Sequence, residues 1–158
     1  MIRTIDGFHQ DDEGDWVAEL SCLHNQHVRH QPPLQERPWV ASEAGRAAHL
    51  GAQLDCPLCD RLELPAALEL VRTAGPFDAD RLPAALRRAH FVADRTWGLL
   101  RVLEGEVVFA IETTPTLSAR LDAGDEQPIP PALAHLLRVD APVRLTIDFL
   151  VRSALPSS

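Results

Sequence analysis

The chain has 158 residues, of which 46% are hydrophobic and 24% charged, and its formal net charge is −8. This length suits one ordinary domain or two small ones, and no apolar run approaches the ~20 residues of a membrane span. All fifteen basic residues are arginine, which excludes a lysine Schiff base, a P-loop lysine and a lysine general base. The start turns acidic without an apolar leader segment, so we expect a cytoplasmic protein with no signal peptide and no membrane partner.

The composition differs between the two halves of the chain. All three cysteines and five of the seven histidines lie before residue 62. Residues 1–64 carry five arginines against eleven acidic residues, whereas residues 65–158 carry ten arginines against twelve. This contrast predicts two domains, at residues 1–63 and 64–158.

The first half shows a hairpin pattern and a helix pattern. An acidic turn at residues 11–15 precedes the alternating segment Trp16–Leu20, which is typical of a hairpin and a strand. Residues 42–50 predict a short helix, because Ser42 can cap its start and Gly51 can close it in the left-handed conformation. Three prolines predict a loop or edge strand between these elements: Pro32, Pro33 and Pro38.

The second half has the patterns of β structure. Residues 97–113 are rich in Val, Leu and Phe, and predict two strands separated by a hairpin turn at Glu104-Gly105. Apolar residues alternate with others over Leu117–Leu121 and Val143–Val151, while residues 79–88 predict one short helical piece. Several short strands at this spacing indicate a small antiparallel barrel or jelly roll. The expected fold class is therefore mainly β with short helices.

The cysteines predict a zinc site. An odd number of cysteines in a reducing compartment argues against a disulfide framework. Zinc takes four ligands in a tetrahedron, and the two residues between Cys56 and Cys59 let both sulfurs reach one ion. Cys22 and His24 are the nearest candidates for the second pair of ligands, with His27 as the alternative fourth ligand.

Other interpretations of the same residues stay open. His30 extends the set of alternative histidines. The Cys56–Cys59 pair could be a redox dithiol, or the thiols could be buried without a metal. Two cysteines and one histidine could also hold a catalytic zinc with one open position. We expect structural zinc, because this half has few large apolar side chains and structural zinc contributes about 10–16 kcal/mol in small peptides.

Eight segments of the first half carry a family resemblance. They are Gly7–Asp11, Gly14–Leu20, Cys22–His24, Gln26–His30, Pro32–Pro33, Arg37–Val40, Gly45–Arg46 and Cys56–Cys59. On these segments, residues 5–61 resemble a family of small bacterial zinc-ribbon-like domains. The resemblance implies a small zinc-ribbon-like α+β module and no particular activity. Leu23 stands where the family usually has glycine, a departure that keeps His27 as an alternative ligand.

Part of the second half has the spacing of the second cupin signature. Gly124, Pro130 and His135 fall at the positions of that signature, whereas Ala132 and Val139 replace its glycine and asparagine. The His-x-His of the first signature is missing. The matching part predicts a turn followed by a strand, and this strand would direct His135 into a barrel mouth, where ligands often bind.

A longer resemblance covers residues 66–152. The segments that carry it are Leu82-Pro83, Leu86–His90, Thr96–Gly98, Val102–Gly105, Ile129–Pro131, His135, Val143–Leu145 and Phe149. On these segments the second half resembles the cupin-like domain named for tellurite resistance, the TehB/YeaR-like domain. The resemblance implies a small antiparallel β-barrel of the jelly-roll type and a role in tolerating tellurite or related stress, without a known reaction.

The candidate ligand-binding residues of the barrel are His90, Glu104 and His135. Two histidines are fewer than the ligands that iron, manganese or zinc usually take, so Glu104, Glu126 or water would have to complete a second metal site. Purely structural or solvent-facing roles for both histidines are the alternative.

Together these features favour a small-ligand-binding cupin-like protein with a structural-zinc N-terminal module, in tellurite or oxyanion stress tolerance. One alternative is a metal-dependent cupin enzyme of the dioxygenase or isomerase type that uses His90 and His135. A second alternative is a zinc module that docks to a protein. Nucleic acid is not an expected partner, because the first half is acidic and lacks lysine. We expect a small-molecule or oxyanion ligand, and a homodimer, since cupin-type barrels often pair their sheets.

Overall fold

The structure is a computed structural model that describes residues 1–28 and 37–154. The chain divides into two compact units, Met1–Ala66 and Ala67–Ser158, here called the N-terminal and C-terminal units. The loop expected at Pro32 and Pro33, and the alternative ligand His30, lie outside the described residues. Among the described residues, no helix has the length and apolar character needed to span a bilayer.

The N-terminal unit contains a four-stranded antiparallel sheet in the order β3-β2-β1-β4. Its strands are β1 (Ile2–Gln10), β2 (Trp16–Leu20), β3 (Asn25–His27) and β4 (Gln53–Asp55). A 3₁₀ turn at Pro38–Ala41 leads into helix α1 (Glu43–Ala48), and helix α2 (Pro57–Asp60) follows β4.

The hairpin and the helix predicted for the first half are confirmed. β1 and β2 pair antiparallel, and Asp11 Oδ1 accepts a hydrogen bond of 2.9 Å from the backbone N–H of Asp15 in the turn between them. The Ser42 Oγ accepts a hydrogen bond of 3.0 Å from the Gly45 N–H and so caps α1. Gly51 follows the helix with a φ of 79°.

The N-terminal unit has a thin apolar core. Apart from the cysteines, its buried apolar residues in the described part are Ile5, Val17, Ala18, Leu20, Leu23, Val28, Val40 and Leu54. Full burial of an aliphatic side chain contributes about 1.5–3 kcal/mol, most of which offsets the entropy of ordering the chain. Because this core is small, we expect groups other than apolar side chains to contribute to the stability of the N-terminal unit.

The C-terminal unit is built from antiparallel strands around one long strand. The strands are β5 (Leu68–Asp78), β6 (Trp97–Ile111), β7 (Leu117–Asp122), β8 (Glu126–Ile129), β9 (His135–Arg138) and β10 (Val143–Arg152). The order is β5-β10-β6-β7, and β8 and β9 also pair with β6. β10 and β8 pair with the first part of β6, whereas β7 and β9 pair with its second part. Together the two units give a mainly β protein with short helices, as predicted.

The prediction of a hairpin turn at Glu104-Gly105 is wrong. β6 continues through both residues to Ile111. Gly105 has a φ of 74°, and a Cβ built on it would lie 1.9 Å from the carbonyl oxygen of Pro142. A glycine inside a strand often marks a bulge or a close approach of another backbone segment, and both occur here.

The bulge is visible in the pairing of β6 with β10. Arg144 pairs with Glu104, but the next residue, Leu145, pairs with Val102, so β6 has one extra residue at Leu103. A bulge of this kind bends a strand without ending it. The bulge and Gly105 therefore lie where β6 passes from its partners β10 and β8 to its partners β7 and β9.

Two further predictions for the second half have different outcomes. The strand predicted over Val143–Val151 is confirmed, and its burial alternates as far as Ile147: Val143, Leu145 and Ile147 are buried, whereas Phe149 and Val151 are only partly buried. The helical piece predicted over residues 79–88 is wrong in extent. Only a 3₁₀ turn at Ala84–Arg87 forms, directly after Pro83, whose ring prevents the helix from continuing across it.

Candidate metal centre and ligand cleft

Three cysteines and one histidine meet inside the N-terminal unit. The ligand atoms of Cys22, His24, Cys56 and Cys59 all lie within 4.8 Å of one another, and all four residues are buried. Cys22 and His24 lie in the connection between β2 and β3, while Cys56 and Cys59 lie where β4 leads into α2. The antiparallel sheet brings these two connections together, because β2 and β4 both pair with β1.

The distances in this Cys₃His cluster fit a tetrahedral ion. The His24 Nδ1 lies 3.5 Å from the Cys22 Sγ, 3.4 Å from the Cys56 Sγ and 3.6 Å from the Cys59 Sγ. The Sγ atoms of Cys22 and Cys56 are 3.8 Å apart. Zinc bonds of about 2.3 Å to sulfur and about 2.0–2.1 Å to nitrogen require separations of about 3.8 Å (S to S) and about 3.5–3.6 Å (S to N) in a tetrahedron. The cluster could therefore hold a metal ion such as zinc.

The orientation of the His24 ring also suits a ligand. Its Nε2 lies 2.9 Å from the carbonyl oxygen of Glu63. A carbonyl oxygen can only accept, so Nε2 carries a hydrogen, and Nδ1 is the ring nitrogen that faces the sulfurs. A backbone carbonyl that fixes the outer nitrogen in this way is common behind metal-bound histidines.

Contacts inside the cluster shift the pKa values of His24, Cys56 and Cys59. Burial by itself lowers the pKa of His24, but its hydrogen bonds with Cys22 and Cys56 outweigh burial and raise that pKa to about 9. The hydrogen bond from Cys22 lowers the pKa of Cys56, whereas the same neighbour raises the pKa of Cys59. One thiolate is thus favoured and further thiolates are resisted, because negative charge would accumulate in a buried space. A divalent cation removes that resistance, since it binds thiolates.

The backbone between Cys22 and His24 turns in a conformation that favours glycine. Leu23 has a φ of 70°, in the left-handed region that favours glycine. Its N–H donates to the carbonyl oxygen of Leu20 at 2.8 Å. Leu23 therefore adopts a backbone conformation that is typical of glycine, and the turn at Leu23 directs His24 into the Cys₃His cluster.

The alternative ligand His27 lies elsewhere. Its Nε2 is 2.8 Å from the Asp11 Oδ2, and half of its side chain is exposed. The structure therefore groups His24, and not His27, with the three cysteines. The sequence favoured His24 as the nearer histidine and kept His27 as the alternative, because both follow Cys22 within five positions.

Arg3 on β1 places a positive charge near the cluster. It is buried, and its charge partly offsets the rise in the pKa of Cys59 that the Cys22 hydrogen bond causes. A zinc ion with three thiolates and a neutral imidazole carries a net charge of −1. A buried guanidinium close to that charge stabilises the loaded site.

We therefore expect Arg3→Met to weaken zinc binding about tenfold, the lower end of what outer-shell partners contribute. A competition titration against a chromophoric chelator measures the change. Arg61→Met is the matched control, because Arg61 is exposed and bonds to Glu63, where solvent screens its charge. Equal zinc affinities for the two variants would contradict a role for the Arg3 charge.

A cleft in the C-terminal unit contains both remaining histidines. It has a volume of about 460 Å³, and most of its lining is apolar, including Ile129, Ile147 and Phe149. His90 and His135 both line it. This volume and this apolar lining with few polar groups are typical of small-ligand sites.

The backbone holds the two histidines side by side. His90 and His135 exchange two backbone hydrogen bonds of 3.0 Å, and their ring centroids are 4.1 Å apart. The His135 Nδ1 lies 2.8 Å from the carbonyl oxygen of Leu133, and the His90 Nδ1 lies 2.9 Å from that of Arg88. Both rings therefore donate through Nδ1 to the backbone, which fixes their orientation.

The acidic residues proposed to complete this site lie elsewhere. Glu104 is exposed and lines a separate depression with Asp78, Asp80 and Arg144. Glu126 is exposed and pairs with Arg101.

Burial of His135 predicts a pH-dependent stability. Burial, with a smaller contribution from His90, lowers the pKa of His135 to about 4, whereas the unfolded chain has the ordinary value of 6.5. The folded unit then resists protonation, so its stability is complete above pH 6.5 and falls as the pH drops toward 4. The expected loss is about 3 kcal/mol at the acid end.

Two measurements check this expectation. NMR titration of the His135 ring protons should give a midpoint near 4, and urea unfolding followed at the Trp97 indole N–H should show the falling stability. In His135→Phe the decline between pH 6.5 and 4 should be much smaller. A His135 midpoint near 6.5 would contradict the predicted burial effect.

Two family models match the chain, one in each unit. Residues 6–63 match the family described as "Protein of unknown function (DUF3565)", and residues 72–147 match the TehB-like domain. Each of the two models covers less than half of the chain. No curated protein matches it in sequence.

Solved structures resemble part of the chain. A protein from Escherichia coli (strain K12) is 19% identical with a TM-score of 0.53, over 58% of this chain and 97% of that chain. TehB from Haemophilus influenzae is 20% identical with a TM-score of 0.51, over 55% of this chain and 32% of that chain. At these identities the likeness shows the fold of the covered part. The chain spans about a third of the length of TehB.

Proposed function

We propose that the chain is a small-ligand-binding protein in which a structural zinc ion holds the N-terminal unit and a cupin-like jelly roll forms the C-terminal unit. The cleft of about 460 Å³ that contains His90 and His135 is the observation that carries this proposal. The bent strand β6, which pairs with different strands along its two parts, supports the jelly-roll interpretation. The tetrahedral distances around His24 support zinc.

The biological role that we propose is tolerance of tellurite or related oxyanion stress. The match of residues 72–147 to the TehB-like domain supports it, and this support is an analogy between families. Expression of the chain in tellurite-sensitive bacteria should raise the tellurite concentration that stops growth. His135→Phe should abolish the protection, whereas His9→Phe, which changes a histidine of the N-terminal unit, should keep it. Equal protection by both variants would contradict a role for the cleft.

The histidine pair also favours a second candidate, a metal-dependent cupin enzyme of the dioxygenase or isomerase type. Both Nδ1 atoms are bonded to carbonyls, so each Nε2 is left to face the cleft, as in many metal sites. Metal analysis of the purified protein separates the two candidates. About one zinc per chain supports structural zinc alone, while a second metal that disappears in His135→Ala supports the enzyme.

The expected partners are proposals as well. We propose a homodimer, which sedimentation analysis tests directly. We propose no nucleic-acid partner, and salt-sensitive retardation of DNA in a gel would overturn that proposal.

A further inference from the structure

The two histidines in the cleft of the C-terminal unit present hydrogen-bond acceptors to a ligand. The Nδ1–H groups of His90 and His135 are used by the carbonyl oxygens of Arg88 and Leu133. A neutral imidazole that donates through Nδ1 has only an acceptor left, at Nε2. His135 is 2% exposed, and none of the described residues hydrogen-bonds to its Nε2. An acceptor that opens onto a confined cleft takes its hydrogen bond from a ligand or from water.

The rest of the lining disfavours a cation. No carboxylate lines the cleft among the described residues, so a cation would find no opposite charge. Arg72 also lines the cleft, and its guanidinium lies 4.3 Å from the centre of the Phe149 ring, against the ring face. Two neighbouring imidazole acceptors would repel the lone pairs of an oxyanion. The low pKa of His135, caused mainly by burial, keeps its ring neutral near pH 7.

We propose that the cleft binds a small neutral molecule with an apolar body and one hydroxyl or N–H group, such as a phenol, that donates to the Nε2 of His135. This inference rests on the proposed small-ligand function and specifies the class of ligand. It separates the ligand of the cleft from the oxyanion stress itself, because an oxyanion without an O–H group has no donor for the Nε2 of His135. The apolar body lies against Ile129, Ile147 and Phe149.

A pair of isosteric probes tests the donor requirement. p-Cresol and p-xylene have nearly the same shape, and they differ by a hydroxyl in place of a methyl group. Each is titrated into the zinc-loaded full chain at pH 8, as is sodium tellurite, with the ¹⁵N shift of the His135 Nε2 and the methyl shifts of Ile129 and Ile147 as readouts. We expect p-cresol to shift both sets of signals saturably and to bind at least about tenfold more tightly than p-xylene, because p-xylene leaves the acceptor without a donor.

Variants show whether the preference depends on the histidine. In His135→Phe the two probes should bind with equal affinity, as judged from the isoleucine methyl shifts. His9→Phe, outside the cleft, should keep the preference for p-cresol. Should His135→Phe fail to fold, as judged from the Trp97 indole signal, the shift of the His135 Nε2 in the unmodified chain still decides the question.

The outcomes separate this inference from the proposed function. Equal binding of p-cresol and p-xylene, or binding of tellurite without p-cresol, overturns the donor requirement and leaves a small-ligand cleft. No shift of the histidine or isoleucine signals with any of the three probes overturns the donor inference and contradicts ligand binding in the cleft as well.

Discussion

Removal of zinc should unfold the N-terminal unit, and His24→Ala should have the same effect. Structural zinc contributes about 10–16 kcal/mol in small peptides, which equals or exceeds the whole stability of a typical domain, about 5–15 kcal/mol. The unit has few large apolar side chains to compensate. Without the ion, three buried thiols and an imidazole would face one another at 3.4–3.8 Å.

A chelator titration followed by two-dimensional NMR measures this effect. The amide signals of β1 and β2 should lose their dispersion when the zinc content falls to zero, and they should recover when zinc is returned. Retained dispersion in a zinc-free sample would show that the cluster does not hold the unit together.

His27→Ala is the matched control for His24→Ala. His27 contacts Asp11 at the surface of the N-terminal unit, so its loss should leave one zinc per chain and cost less than about 1 kcal/mol of stability. Zinc loss in His27→Ala with full retention in His24→Ala would reverse the assignment of the fourth ligand.

Gly105→Ala should destabilise the C-terminal unit by about 3–5 kcal/mol, close to the largest effects of single substitutions. The new Cβ would lie 1.9 Å from the Pro142 carbonyl oxygen, so β6 or the segment before β10 would have to move. The φ of 74° adds a cost of about 1–2 kcal/mol for any residue with a Cβ. Urea unfolding followed at the Trp97 indole signal gives the change in the free energy of unfolding.

Gly124→Ala separates steric contact from backbone conformation. Gly124 has a φ of 96°, but a Cβ there would meet nothing within 4 Å. Its replacement should therefore cost only the conformational part, about 1–2 kcal/mol. Similar losses for the two variants would show that the approach of Pro142 to Gly105 is not the cause of the larger effect.

Local signals in the sequence predicted the elements that depend on local chemistry. The turn around Asp11, the cap at Ser42 and the alternation in β10 each rest on neighbouring residues, and each appears in the structure. The ligand spacing of Cys56 and Cys59 is local as well. It identified one half of the Cys₃His cluster without knowledge of the fold.

Features set by distant residues could not be predicted in the same way. Gly105 looks like a turn residue in sequence, but it meets Pro142, which is 37 positions later. β5 was missed because most of its residues are exposed, so it lacks the alternation that identifies a half-buried strand. β3 and β4 are three residues each, too short for any periodic signal. Glu104 was grouped with the histidines because a carboxylate can complete a metal site, but it lies beside the bulge of β6 and lines a separate depression.

Most strands of the C-terminal unit depend on β6 for their pairing. Residues 98–101 and 108–111 have a paired strand on each side, and β7, β8 and β9 have no other partner strand among the described residues. No sheet containing those three strands can therefore form without β6, whereas β5 pairs with β10 instead. Amide protons at the centre of β6 should be the last of the unit to exchange with solvent, and those of β5 among the first.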